Sequence, residues 1–328
     1  MNSSQIYHLV LLAFFLVAIF SCQDKFINDL DIDLPEEEQL LVINLELTEG
    51  DSTASTFVAR TANLDEVDHT FFEEAVVDLY KEGELLKTLE YDPLSNEYTA
   101  DFNPDELSEG EYSVEVGGVS EFQNLEASQT IHNSVNIIKG SYQEDGTIAS
   151  EYGYAFTVDE ARITFNDPAE DENYYQVKLF AVLENQVGEI LQKRELYLSS
   201  LNPFVETSFF FDGLLLKDDS FNGTEFDLSI GFSDFSGGIF GSGDENEIFY
   251  LQAELSNLSR DNYLFIKSEA AFREAVDNPF AEPVIVHNNV ENGIGIFRTR
   301  NISLFRICLL YTSPSPRDAT LSRMPSSA

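Results

Sequence analysis

Asp218, Ser220 and Asn222 alternate along "DDSFNG" and are followed by Gly223. Oxygen ligands that alternate before a sharp glycine turn open a calcium loop, whose twelfth position is a bidentate glutamate. That position is Ser229 in this chain, where strand-like alternation has already resumed. The three residues are candidate metal ligands, with a polar turn between two strands as the preferred reading. Residues 236–247, "SGGIFGSGDENE", hold Gly237, Gly238, Gly241 and Gly243, then Asp244 and Glu245. No lysine follows, and the two carboxylates would repel an anion, so this is no phosphate cradle. A loop of this length suits partner contact, which makes these six the candidate contact residues, against a plain flexible surface loop. "NGIGIFR" has Gly293 and Gly295 but neither a third glycine nor a following helix. Close backbone approach within a strand or bulge is expected instead of dinucleotide binding. His69, His132 and His287 each stand apart from any histidine or cysteine at ligand spacing, so no metal centre is expected. There is no G-x-S-x-G. Carboxylate pairs are inevitable among 59 acidic residues, and the stacking usual in sugar clefts would fall to Phe or Tyr, because tryptophan is absent. No catalytic residue and no cofactor are assigned, and the chain is expected not to be an enzyme.

At the front, Leu9 to Phe20 is an unbroken apolar run of twelve residues. As a helix it would be about 18 Å long, short of the roughly 30 Å hydrocarbon core. It suits the h-region of an export signal, with Ser21 and then Cys22 at the boundary. Ile19-Phe20-Ser21-Cys22 is similar to the lipobox of bacterial lipoproteins, in which cleavage falls between the last two residues and the cysteine is acylated. Phe20 is bulkier than usual there, and "MNSSQIYH" has no Lys or Arg. A plain secretory signal with an incidental cysteine is the alternative. The predicted layout is a signal peptide over 1–21, lipidation at Cys22 and an acidic tether over 22–38. At the other end, residues 307–328 hold Cys308, three of the ten prolines and the only methionine besides the first. This stretch is similar to translated adaptor read-through and is set aside as a non-native tail, with a genuine disordered tail as the alternative.

Without that tail the body keeps 58 acidic against 16 basic residues, from totals of 59 and 18. Such a polyanion repels nucleic acid and anionic headgroups. The charge is consistent with a saline habitat, with divalent-cation binding or simply with solubility. The 27 phenylalanines and 14 tyrosines argue against disorder.

The elements that would position these residues are mostly strands. Ile43, Leu45 and Leu47 alternate with polar residues, as do Tyr112, Val114 and Val116. "VVDLYKEGELLKTLEYD" reads as a hairpin turning at Glu82-Gly83. An N-terminal immunoglobulin-like β-sandwich is predicted over 39–148, closed by the polar "IKGSYQEDGTIASEYG". A second antiparallel β-sandwich or barrel-like domain is predicted over 149–306. Its strands are "ARITFN", "NYYQVKLFAVL", "ETSFFFDGLLL", "EFDLSIGFSDF", "EIFYLQAELSNL", "PVIVHNN" and "GIGIFRT". One C-terminal helix is expected in "SRDNYLFIKSEAAFREAVD", with Ser259 as N-cap, Tyr263, Ile266 and Ala270 at helical spacing, and Asn278-Pro279 as the stop.

Several segments, in order, carry a resemblance. They are "DIDLPEEEQLLVINLELTEG", "GEYSVEVGG", "FNDPAEDENYYQVKLF", "LLLKDDSFNGTEFDLSIGF", "LSRDNYLFIKSEAAF" and "NPFAEPVIVHNNVENGIGIF". Together they resemble the Bacteroidota lipoproteins catalogued as domain of unknown function 4249. That resemblance implies a lipid-anchored outer-membrane protein, on the periplasmic or the cell-surface face, often encoded beside a TonB-dependent transporter. It supplies no catalytic residues. The expected function is a non-enzymatic accessory or binding partner of a TonB-dependent transporter. A structural or adhesive surface lipoprotein, or a carboxylate-dependent hydrolase, are the alternatives.

Overall fold

The structure, a computed structural model, describes residues 38–62, 70–151, 154–169, 172–200, 202–233, 247–276, 278 and 280–308, the side chains of 147–156 and 247 excepted. The expected signal peptide, Ser21, Cys22, the tether up to residue 37 and the tail from residue 309 lie outside the described residues.

Period-two alternation builds the first layer. β1 (Leu41–Thr48) buries Leu41, Ile43, Leu45 and Leu47 on one face. Across the core stand β2 (Thr53–Thr56), β4 (Val76–Lys81), β5 (Glu84–Asp92), β6 (Glu97–Asp101), β7 (Gly110–Gly117) and β8 (Leu125–Ile131), while short β3 (Val58–Arg60) pairs with β1. These six form a sheet of order β2-β6-β5-β4-β7-β8. Tyr112, Val114 and Val116 are fully buried in it, each contributing about 1.5–3 kcal/mol of burial. The β4–β5 hairpin turns at Glu82 and Gly83, both at positive φ, as a two-residue loop that matches strand twist requires. Glu82 is an unusual residue there, and its carboxylate accepts the Glu111 amide at 2.8 Å.

The second layer pair uses β9 (Ile137–Glu151), β10 (Tyr154–Asn166), β11 (Tyr174–Asn185), β12 (Ile190–Glu195), β13 (Tyr197–Ser199), β14 (Val205–Glu206), β15 (Leu214–Lys217), β16 (Glu225–Ser233) and β17 (Glu247–Leu258). One sheet runs β13-β16-β10-β9. It packs Ile163, Phe165, Leu228, Ile230 and Phe232 against Tyr175, Val177, Leu179, Leu251, Ala253 and Leu255 of the other. The helix α1 (Arg260–Val276) follows β17 and buries Tyr263 beside Tyr174, Leu215 and Leu258. Ser259 caps it as expected: its Oγ accepts the Asn262 amide at 3.3 Å.

The last strand, β18 (Gly293–Cys308), joins both layer pairs. Over Gly293 to Arg300 it runs parallel to β1; over Arg300 to Cys308 it runs antiparallel to β17. Phe297 belongs to the first core and Ile307 to the second. The resulting sheet has the order β14-β15-β11-β17-β18-β1-β3, with β12 also on β11. Gly293 and Gly295 sit where β18 meets β1, as the close-approach reading requires. Gly295 has φ +131°, and a Cβ there would fall within the Ile43 carbonyl.

The mainly β architecture with one C-terminal helix is as the alternation implied, but four elements differ. The polar stretch expected to end the first unit is β9, fifteen residues long, so the expected boundary at residue 148 falls inside a strand. It reads as linker because it pairs along only one edge, with β10, and uses Gly140 where Phe305 and Ile307 press closest. "ETSFFFDGLLL" is broken into β14 and β15 by a loop ending at Gly213, whose φ of +100° favours glycine. "PVIVHNN" is not a strand; its asparagines bond β18 through their side chains. Finally, β18 continues through Ile307, buried in the second core, and Cys308, two residues beyond the expected end of the body.

Candidate functional site

The segment before β18 fastens α1 to it. Asn289 grips Phe297 twice: its Oδ1 accepts the Phe297 amide at 2.9 Å and its Nδ2 donates to the Phe297 carbonyl at 2.6 Å. Asn288 Oδ1 accepts the Gly295 amide at 3.0 Å, and its Nδ2 reaches the Gly293 carbonyl at 3.3 Å. Two side-chain amides thus take the place of a neighbouring strand along an edge that would otherwise leave backbone groups unpaired. His287 turns the other way. Its amide donates to Ser268 Oγ at 2.8 Å, and its Nε2 lies 2.8 Å from Asp261 Oδ1 on α1. The second Asp261 oxygen accepts Gln129 Nε2 from β8 at 2.5 Å and Asn289 Nδ2 at 3.5 Å. Burial alone would raise the Asp261 pKa, yet the hydrogen bonds from His287 and Gln129 outweigh it and hold the carboxyl below its ordinary value. Asp261 therefore ties β8, α1 and the pre-β18 segment together. The His287–Asp261 pair acts as a clasp between the pre-β18 segment and α1.

Beside the clasp opens a recess of about 250 Å³, lined by Glu111, Ser128, Gln129, Thr130, His132, Ser259 and Arg260. Every lining residue is polar, and the start of α1 forms one wall. A second recess, of about 340 Å³, lies between β1 and β2 and includes Glu46 and Arg298. Glu46 there is already paired, with Arg298 at 2.5 Å and with Arg300 at 2.9 Å.

The residues singled out from sequence fare differently. Asp218 is buried, and its Oδ2 accepts the Asn173 amide at 2.9 Å, whereas Ser220 and Asn222 are exposed. They lie in a polar turn, Asp218–Ser220 being one turn of 3-10 helix. Among the described residues no group of three His, Cys, Asp or Glu could hold a metal. Nearby, Asp167 is buried with Tyr175: its Oδ1 accepts the phenol at 2.5 Å and its Oδ2 accepts the Gly223 amide at 2.8 Å. Burial, with Asp218 close by, raises the Asp167 pKa, and burial beside Asp167 raises that of Tyr175 further. Gly237, Gly238, Gly241, Gly243, Asp244 and Glu245 lie outside the described residues, as does His69. His132 lines the recess and His287 belongs to the clasp. Sequence reading missed Asp261, Gln129, Arg260 and the two asparagines. One cue was present: a cation at the first position of a helix runs against the helix dipole.

A further surface is apolar. Phe209 is 77% exposed, Phe280 94% and Ile285 90%, and Phe204, Phe272 and Val276 are exposed as well. The loop carrying Phe209 is tied to α1 by a 2.7 Å hydrogen bond from Ser208 Oγ to Glu274.

The chain matches the family described as a domain of unknown function (DUF4249) over residues 27–303, and it belongs to that family. No curated protein matches it.

Proposed function

We propose that the protein is a cell-envelope lipoprotein of Bacteroidota type, held on the outer membrane by acyl chains on Cys22. It serves there, without catalysis, as an accessory of a TonB-dependent transporter. The observation that carries the reading is the exposure of the large apolar side chains Phe209, Phe280 and Ile285 on a chain of net charge −41. Large apolar side chains exposed on so acidic a chain suit a protein partner, because aromatic anchors dominate interface energetics. Attachment is assigned to Cys22, which follows the apolar run Leu9 to Phe20. An extended tether of residues 22–38 would reach at most about 60 Å. Within that radius the anchor raises the effective concentration of the partner surface. The test is co-purification in mild detergent from cells making wild type or a Phe209→Ser/Phe280→Ser double variant, with palmitate labelling of both. Wild type should bring down a transporter, and the double variant should be labelled equally but recovered without it. Repeated recovery of wild type alone, or an unlabelled Cys22, would overturn the proposal.

A further inference from the structure

Arg260 is placed where a cation is least welcome, and no described residue satisfies it. It is the first residue of α1, at the positive end of the helix dipole. It makes no hydrogen bond or ion pair with a described residue, whereas Arg162, Arg273, Arg298, Arg300 and Arg306 each meet a carboxylate. Glu172, the acid within its electrostatic reach, is already bonded to Lys217. In a chain with 59 acidic residues, an unmatched guanidinium beside a helix N-terminus marks a local positive potential.

The recess that Arg260 lines adds an independent sign of a ligand. Gln129 is 9% exposed, and its Nε2 is committed to Asp261, while its Oε1 accepts from no described residue. Ser259 is 2% exposed, and its hydroxyl proton has no described acceptor, although its oxygen caps α1. Both line the recess, Gln129 with an acceptor and Ser259 with a hydroxyl proton still available to a ligand there. Across from Arg260, Glu111 makes no side-chain hydrogen bond or ion pair to a described residue, and it does not bridge to Arg260. Two opposite charges therefore face the same recess of about 250 Å³ without meeting.

We propose that this recess binds a small zwitterion of the free α-amino-acid class. Its carboxylate lies against Arg260, the Ser259 hydroxyl and the first amides of α1, and its ammonium against Glu111 and Gln129 Oε1. A simple anion would meet the Glu111 carboxylate, and a simple cation would meet Arg260; a zwitterion satisfies both walls. This assignment does not depend on partnership with a transporter.

Titration calorimetry on the purified full-length protein tests it, with the free L-amino acids as probes and acetate and ethylammonium as single-charge controls. At least one amino acid should bind. Arg260→Ala should weaken it about tenfold or more and Glu111→Gln by several-fold, while Arg260→Lys retains part of the affinity. Both side chains are exposed, so circular dichroism should show the variants folded. Absence of binding by every amino acid up to about 10 mM, unchanged affinity in Arg260→Ala, or equally tight acetate would each overturn the assignment.

Discussion

Removing the Asn289 amide should unfasten the first half of β18. Phe297 is fully buried, and both its backbone groups depend on that one side chain. In Asn289→Ala each becomes a buried polar group without a partner, at about 1–3 kcal/mol apiece, for an expected loss of about 2–5 kcal/mol. Asn289→Asp separates this cause from simple loss of bulk. At neutral pH it keeps an acceptor for the Phe297 amide but sets a charged oxygen against the Phe297 carbonyl, next to Asp261. A carboxyl so placed has a raised pKa, so stability is regained as pH falls through that raised value, when the acid proton donates where the amide did. Urea unfolding followed by circular dichroism at about pH 7 and pH 5, above the range where Asp261 protonates, measures both effects. A loss under about 0.5 kcal/mol for Asn289→Ala would refute the reasoning, as would an Asn289→Asp deficit that does not shrink with acid.

Gly295→Ala, which pushes a methyl into the Ile43 carbonyl at φ +131°, should cost more than about 4 kcal/mol or yield no folded protein on gel filtration. Gly50→Ala, with open space at φ +76°, should cost only about 1–2 kcal/mol in the same comparison. Asp167→Asn leaves one acceptor for two donors, the Tyr175 phenol and the Gly223 amide, and should cost about 1–3 kcal/mol at pH 7. The wild-type carboxyl has a raised pKa and gains stability as pH falls through it, so the deficit should widen in acid melts. Asp261→Asn should do the opposite. The depressed pKa contributes stability that is full above the ordinary carboxylate value and lost as pH falls through the folded one. The deficit of about 1.5–3 kcal/mol at pH 7 should therefore begin to narrow as pH falls below the ordinary carboxylate value and close only below the depressed folded one.

Strands with one dry face were legible from residues alone, because Tyr112, Val114 and Val116, or Phe226 to Phe232, repeat at period two and each repeat is a local fact. The α1 start was legible for the same reason: Ser259 and its helical face lie within a few residues of one another. β9 was hidden because a strand bonded along one edge, with the other side wet, needs few apolar residues. The clasp was hidden because Asn288 and Asn289 act on backbone groups seven and eight residues ahead, a spacing that belongs to no recurrent local motif. Gln129 and Asp261 meet across 132 residues of sequence. The candidate recess depended on that meeting, so only its helix-capping serine was foreseen.

The chain's two ends are knotted together by one ribbon of backbone. Because residues 293–300 complete the core begun by residues 41–48, and residues 300–308 complete its neighbour, neither half can reach its native state until nearly the whole polypeptide has been made. Such a molecule must fold in one late step, and a truncation after residue 292 would leave the amino-terminal half as incomplete as the carboxy-terminal one.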